Sequence, residues 1–102
     1  MTRERLPDRR PSETVSFHHD NVNYTATFGR DPSMEIKEVF IDAGKVGSGL
    51  QIGMNDAATI LSVALQNGIK PKDLFKSVRR DASGHPASPI GIILSDMVKA
   101  NG

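Results

Sequence analysis

Apolar and polar residues alternate twice in the first third of the chain. Val15 and Phe17 alternate with Thr14, Ser16 and His18. After Asp20-Asn21, Val22, Tyr24, Ala26 and Phe28 alternate with Asn23, Thr25 and Thr27. A period of two is the signature of a half-buried strand. Asp and Asn tolerate the positive φ of a two-residue hairpin turn, so residues 14–28 read as a hairpin closed at Asp20-Asn21. That closure sets Phe17 opposite Tyr24 and Val15 opposite Ala26, all on one face. Residues 29–33 read as a turn and residues 34–42 as a third strand. Met34, Ile36 and Phe40 are expected on one of its faces, Lys37, Val39 and Ile41 on the other. Val39-Phe-Ile41 is apolar on both faces, which predicts a central strand or one covered on each side.

The pattern changes after Ala43. Asn55 or Asp56 is expected to cap a helix running to about Asn67, with Ala57, Ile60, Leu61, Ala64 and Leu65 as its buried stripe. Gly68 closes it in a left-handed conformation. Pro71 fits the first position of a short helix reaching about Arg79, with Leu74, Phe75 and Val78 inward. Residues 81–87 form a loop. Ser88-Pro89 then opens a last helix that buries Ile90, Ile93, Leu94 and Met97 and ends near Ala100. Strands first and helices afterwards predict an α+β domain: a three-stranded antiparallel sheet followed by three helices packed on one face. An uncovered edge or face of so small a sheet invites a second copy, so a homodimer is expected.

Composition sets the scale. With 102 residues, 37% hydrophobic and 25% charged, the chain reads as one domain over 13–102. Residues 1–12 precede it as a flexible basic arm carrying Arg3, Arg5, Arg9 and Arg10. The absence of cysteine excludes disulfides, thiolate metal sites and cysteine catalysis. No apolar run approaches the ~20 residues of a membrane span, and the N-terminus lacks the apolar core of a secretory signal. The expected location is the cytoplasm, with no membrane partner.

Charge is uneven. Residues 1–69 hold seven basic and nine acidic side chains, a net of −2, whereas residues 70–102 hold six and three, a net of +3. Lys72, Lys76, Arg79 and Arg80 fall at i, i+4, i+7 and i+8 of the short helix and would form a basic stripe. Two readings stay open for it: a phosphate-binding face, or a solvated helix face with cations near its C-terminus. The loop Gly44-Lys-Val-Gly-Ser-Gly49 matches neither phosphate-loop nor dinucleotide spacing. Its Lys45, Gly47 and Ser48 can hold an anion against exposed N–H groups, or the glycines can serve a tight strand-to-helix connection. His18 and His19 point to opposite faces of a strand and cannot share a metal. Glu35 and Glu38 do not face each other, and Ser48, Ser62 and Ser88 lack a nucleophile-elbow context. The residues therefore predict neither catalysis nor a cofactor nor a metal.

Two stretches carry a resemblance: Glu38-Val-Phe-Ile-Asp-Ala-Gly-Lys-Val-Gly-Ser48 and Asn55-Asp-Ala-Ala-Thr-Ile-Leu-Ser-Val-Ala-Leu-Gln-Asn-Gly-Ile-Lys-Pro71. Together they resemble the TSCPD domain, which lies near the C-terminus of vitamin B12-dependent class II ribonucleotide reductases and also stands alone in short proteins. The pattern departs from the family at its namesake Thr-Ser-Cys-Pro-Asp, since no cysteine is present. The reductase's radical cysteines, cobalamin site and substrate barrel belong to other domains. The resemblance implies a non-catalytic accessory domain that binds a reductase-like protein, a second copy of itself or a nucleotide. The alternative reading is a small nucleic-acid-binding module using the basic residues 70–80.

Overall fold

The computed structural model describes residues 12–45 and 47–100. Its strands are β1 (Ser12–His19), β2 (Val22–Arg30) and β3 (Ile36–Ala43), and its helices are α1 (Gly49–Gln66), α2 (Pro71–Ser77) and α3 (Pro89–Ala100). The strands pair antiparallel in the order β1-β2-β3, and the helices follow: an α+β fold. Apart from Ser12, which belongs to β1, the expected arm lies outside the described residues. Asp20 and Asn21 close the first hairpin with φ of 49° and 65°. Phe17 pairs with Tyr24 and Val15 with Ala26, and the Phe17 and Tyr24 rings stack with centroids 5.1 Å apart.

The third strand departs from its expected faces. Arg30 pairs with Ile36 and Gly29 with Glu38, so Lys37 is an extra residue in β3. This bulge turns Ile36 to the same side as Val39 and Ile41, and all three are buried. Met34 lies outside the strand in the left-handed region, at φ 69°. Nor is β3 central. It is an edge strand with one covered face, and Phe40 points from the open face.

Helix α1 begins earlier than the pattern suggested, with its cap at Ser48 and not at Asn55 or Asp56. Ser48, extended at φ −73° and ψ 159°, caps it and accepts a hydrogen bond from the Gln51 N–H. Gly49 and Gly53 are therefore helical. The buried stripe is Met54, Ala58, Leu61 and Leu65, while Ile60, expected inside, is exposed. Past the C-cap Asn67, the Gly68 N–H bonds Leu65 O and the Ile69 N–H bonds Ala64 O, with Gly68 at φ 91°. This pair of hydrogen bonds is the Schellman closure that a left-handed glycine permits.

Helix α1 runs back along the outer edge of β3. The Gln51 side chain accepts from the Ala43 N–H at 2.7 Å and donates to Ile41 O at 3.3 Å. The Ser62 hydroxyl accepts from the Val39 N–H at 3.0 Å. Gln66 Nε2 donates to Lys37 O at 3.2 Å, and Lys37 Nζ donates back to Leu65 O at 3.0 Å. From Ser62 to Gln66 the steps match: one helical turn advances ~5.4 Å, close to the ~6.6 Å of the two strand residues from Val39 to Lys37.

Helix α2 packs on α3, and α3 packs on β2. Ile93, Leu94 and Met97 of α3 join Tyr24, Ala26 and Phe28 of β2, and the α1 stripe, in one core. One five-residue loop appears twice. Asp31 Oδ1 accepts from the N–H groups of Ser33 (2.8 Å) and Glu35 (3.0 Å), and its own N–H donates to Glu35 O at 2.9 Å. Asp81 does the same with Ser83 (2.8 Å), His85 (3.0 Å) and His85 O (2.8 Å). Both are Asp-x-Ser loops whose fourth residue is left-handed, Met34 in one and Gly84 in the other.

Candidate functional site

The candidates from the basic half do not form one site. Helix α2 ends at Ser77, and Val78 is extended, so Arg79 and Arg80 leave the helix and the expected stripe is broken. The Arg80 guanidinium lies 4.1 Å from the Phe75 ring centroid and donates to Phe75 O at 3.2 Å. Arg80 thus closes its own segment, which also bridges to Pro86. Lys72, Lys76 and Arg79 remain exposed. Lys70 and Lys72 line a groove with Arg30, Met34, Glu35 and Lys37, at the Ile36 end of β3.

The glycine loop lies at the other end. Gly44 and Gly47 have φ of 65° and 82°. The Ser48 N–H bonds Lys45 O, and the Ser48 hydroxyl is occupied as the helix cap. Lys45 is exposed. The eight residues of β3 separate Lys45 and Ser48 from Lys70 and Lys72 by roughly 23 Å along the strand. No single small anion spans both. The loop and the basic segment, two candidates in the sequence, lie at opposite ends of β3.

What the sequence missed lies between α1 and the open side of β3. Alternation puts Val39 and Ile41 in the core, so Phe40 must face outward, and no fourth layer covers it. It is 60% exposed; on the outer face of α1, Val63 is 53% and Ile60 69% exposed. Ile60 and Val63 are three apart and adjacent on the helix surface. A groove of about 470 Å³ runs along this seam, lined by Glu38, Phe40, Asp42, Asn55, Thr59 and Val63. Asp42, which with Glu38 lines the groove, is exposed and has no ion-pair partner among the described residues. The seam is therefore apolar at its centre and acidic around it. The legible signal was the apolar pair Phe40 and Val39 on opposite faces of one strand, read as evidence of cover rather than of exposure.

No family model, curated protein or solved structure matches this chain. Several other polar groups are engaged within the fold. His18 bonds Asn23 Oδ1 at 2.6 Å, and His19 lies 3.4 Å from Asp20. Among the described residues no three His, Asp or Glu side chains gather as a metal site. The N–H of His85, then that of Ser83, hold the Asp81 carboxyl below the usual carboxylate range. That carboxylate organises a turn. Among the described residues no helix is long and apolar enough to cross a membrane.

Proposed function

We propose that this chain is a non-catalytic binding domain of the cytoplasm, an accessory relative of the reductase TSCPD domain, that acts by protein contact. The observation that carries the reading is the exposed pair Phe40 and Val63 on one groove that Glu38 and Asp42 also line, with exposed Ile60 next to Val63 on the helix. Exposed apolar groups scattered singly need no explanation, but a contiguous cluster flanked by polar residues is the mark of a contact surface. Its acidic flank favours a partner segment that sets Lys or Arg beside apolar residues. Self-association belongs to the same reading. Nucleotide or nucleic-acid binding has less support, because Arg80 is engaged with Phe75 and the basic stripe is interrupted at Val78.

An amide-shift titration of the full chain tests this. The ligands are a Lys/Leu amphipathic peptide, its Glu/Leu counterpart, ribonucleotides, deoxyribonucleotides and a short oligonucleotide. The Lys/Leu peptide is expected to shift the amides of Phe40, Thr59 and Val63, and Phe40→Ala to weaken it about tenfold, the value of a modest contact residue. Shifts by nucleotides confined to residues 44–48 or 70–80, with none from either peptide, would overturn the reading in favour of an anion-binding module.

A further inference from the structure

We propose that the open edge of β1 pairs antiparallel with β1 of a second copy, joining two sheets into one of six strands. This goes beyond the reading above by naming the surface and register of self-association, and it does not depend on what docks at Phe40.

The hydrogen-bond pattern fixes which groups the edge offers. Val39 and Ala43 direct their N–H groups to α1, away from β2. Antiparallel pairs alternate, so the bonded pairs of β2 and β3 are Thr27 with Phe40 and Thr25 with Asp42. Tyr24, Ala26 and Phe28 then bond β1 through Phe17, Val15 and Glu13. Thr14, Ser16 and His18 are left with their backbone N–H and C=O groups turned outward. Among the described residues no element pairs with them.

A second copy satisfies that edge in a self-complementary way. With the two-fold axis at Ser16, each Thr14 faces the other copy's His18 in a bonded pair. On the core-side face, Val15 then meets Phe17 of the other copy, and Glu13 meets His19. Val15 and Phe17 are only partly buried within one chain, and the pairing covers both. It sets a carboxylate opposite an imidazole instead of like charges together. The assembly also closes. In each copy the other sheet edge is taken by Gln51, Ser62 and Gln66 of α1, so pairing stops at two copies.

Because the chain has no cysteine, a single engineered thiol reads the register cleanly. In the proposed pairing the two Ser16 Cα atoms lie ~5.5 Å apart, within the disulfide range of ~4.4–6.8 Å. The two Thr14 Cα atoms lie roughly 14 Å apart, out of reach. Ser16→Cys is expected to oxidise to a covalent dimer, and Thr14→Cys to remain a monomer. Sedimentation equilibrium of the unmodified full chain is expected to show a reversible dimer. Ser16→Pro, which removes an outward N–H from both copies, is expected to raise its dissociation constant about tenfold or more, with unchanged circular dichroism. A chain that stays monomeric at millimolar concentration overturns the proposal. So does a dimer that survives Ser16→Pro and does not cross-link through Ser16→Cys. Cross-linking of Thr14→Cys in preference to Ser16→Cys overturns the register. Ser16→Pro leaves the Phe40 groove in place, so peptide binding by that variant separates this proposal from the reading above.

Discussion

The two edges of this sheet meet different fates. At the β3 edge Lys37 O, the Val39 N–H, Ile41 O and the Ala43 N–H are bonded by side chains of α1. At the β1 edge, eight residues long, no described element does this. The difference shows what a helix needs in order to replace a strand. It must run along the edge, and it must place an amide or hydroxyl at each approach. Gln51 does this most fully. Its carboxamide carries both an acceptor and a donor, as a peptide unit does, and it donates to Asn55 Oδ1 as well, at 2.8 Å. A polar row beside the buried stripe of a helix can therefore be the sign of a covered sheet edge, not of a solvated helix face.

The largest expected effect comes from removing that peptide mimic. Gln51→Leu keeps an apolar volume but leaves the Ala43 N–H without its acceptor. Ala43 is 1% exposed and Gln51 8%, so water does not readily substitute. A loss of about 2–3 kcal/mol is expected, in the range of a buried group left unpaired, read as a lowered midpoint of urea unfolding. Ser62→Ala is next. It deprives the Val39 N–H of an acceptor, but Ser62 also bonds Ala58 O at 2.8 Å within the helix, and that carbonyl keeps other options. About 1–2 kcal/mol is expected, and amide exchange at Val39 should rise more than at Ala26. An equal rise at both would mean that α1 does not guard the edge locally.

The smallest effect is expected away from both edges, at Asp81. Its folded-state carboxyl titrates below the ordinary carboxylate value. Its contribution is therefore present above the unfolded pKa and lost as pH falls through the folded one. Asp81→Ala should lower the thermal midpoint slightly at neutral pH. The gap to the unmodified chain should close in strong acid. A gap that persists there would show that the turn is held by something other than the carboxylate.

Much of the fold was written locally. Asp20-Asn21 and the alternation around it fixed the first hairpin's register, because turn chemistry and pattern demand the same pairing. Pro71, Gly68 and Ser88-Pro89 marked helix ends through backbone geometry alone. Other features depended on partners distant in the chain. Nothing adjacent to Lys37 announces a bulge, and the bulge decides which side Ile36 faces. The start of α1 was obscured because Gly49 and Gly53 read as loop, although Ser48 has the side chain of a cap and Gln51 is the residue it caps. Arg79 and Arg80 followed helical spacing on paper, yet the chain becomes extended at Val78. The Phe40 surface was missed for a different reason. Apolar character on both faces of a strand says that both faces matter, but not whether the second is covered within the chain or by another molecule.

The principal contacts join elements that are neighbours in sequence: β1 with β2, β2 with β3, β3 with α1, and α2 with α3; α3 on β2 is the one that reaches far back. This ordering has a consequence in time. Everything needed to seal the β3 edge is present once Gln66 has been made, before any of α2 exists. The sheet and α1 can thus form one cooperative unit on a growing chain, and α2 and α3 a second that docks afterwards through Ile93, Leu94 and Met97. Amide exchange is expected to be faster in α2 and α3 than in β2 and α1, the outcome that would reveal two such units.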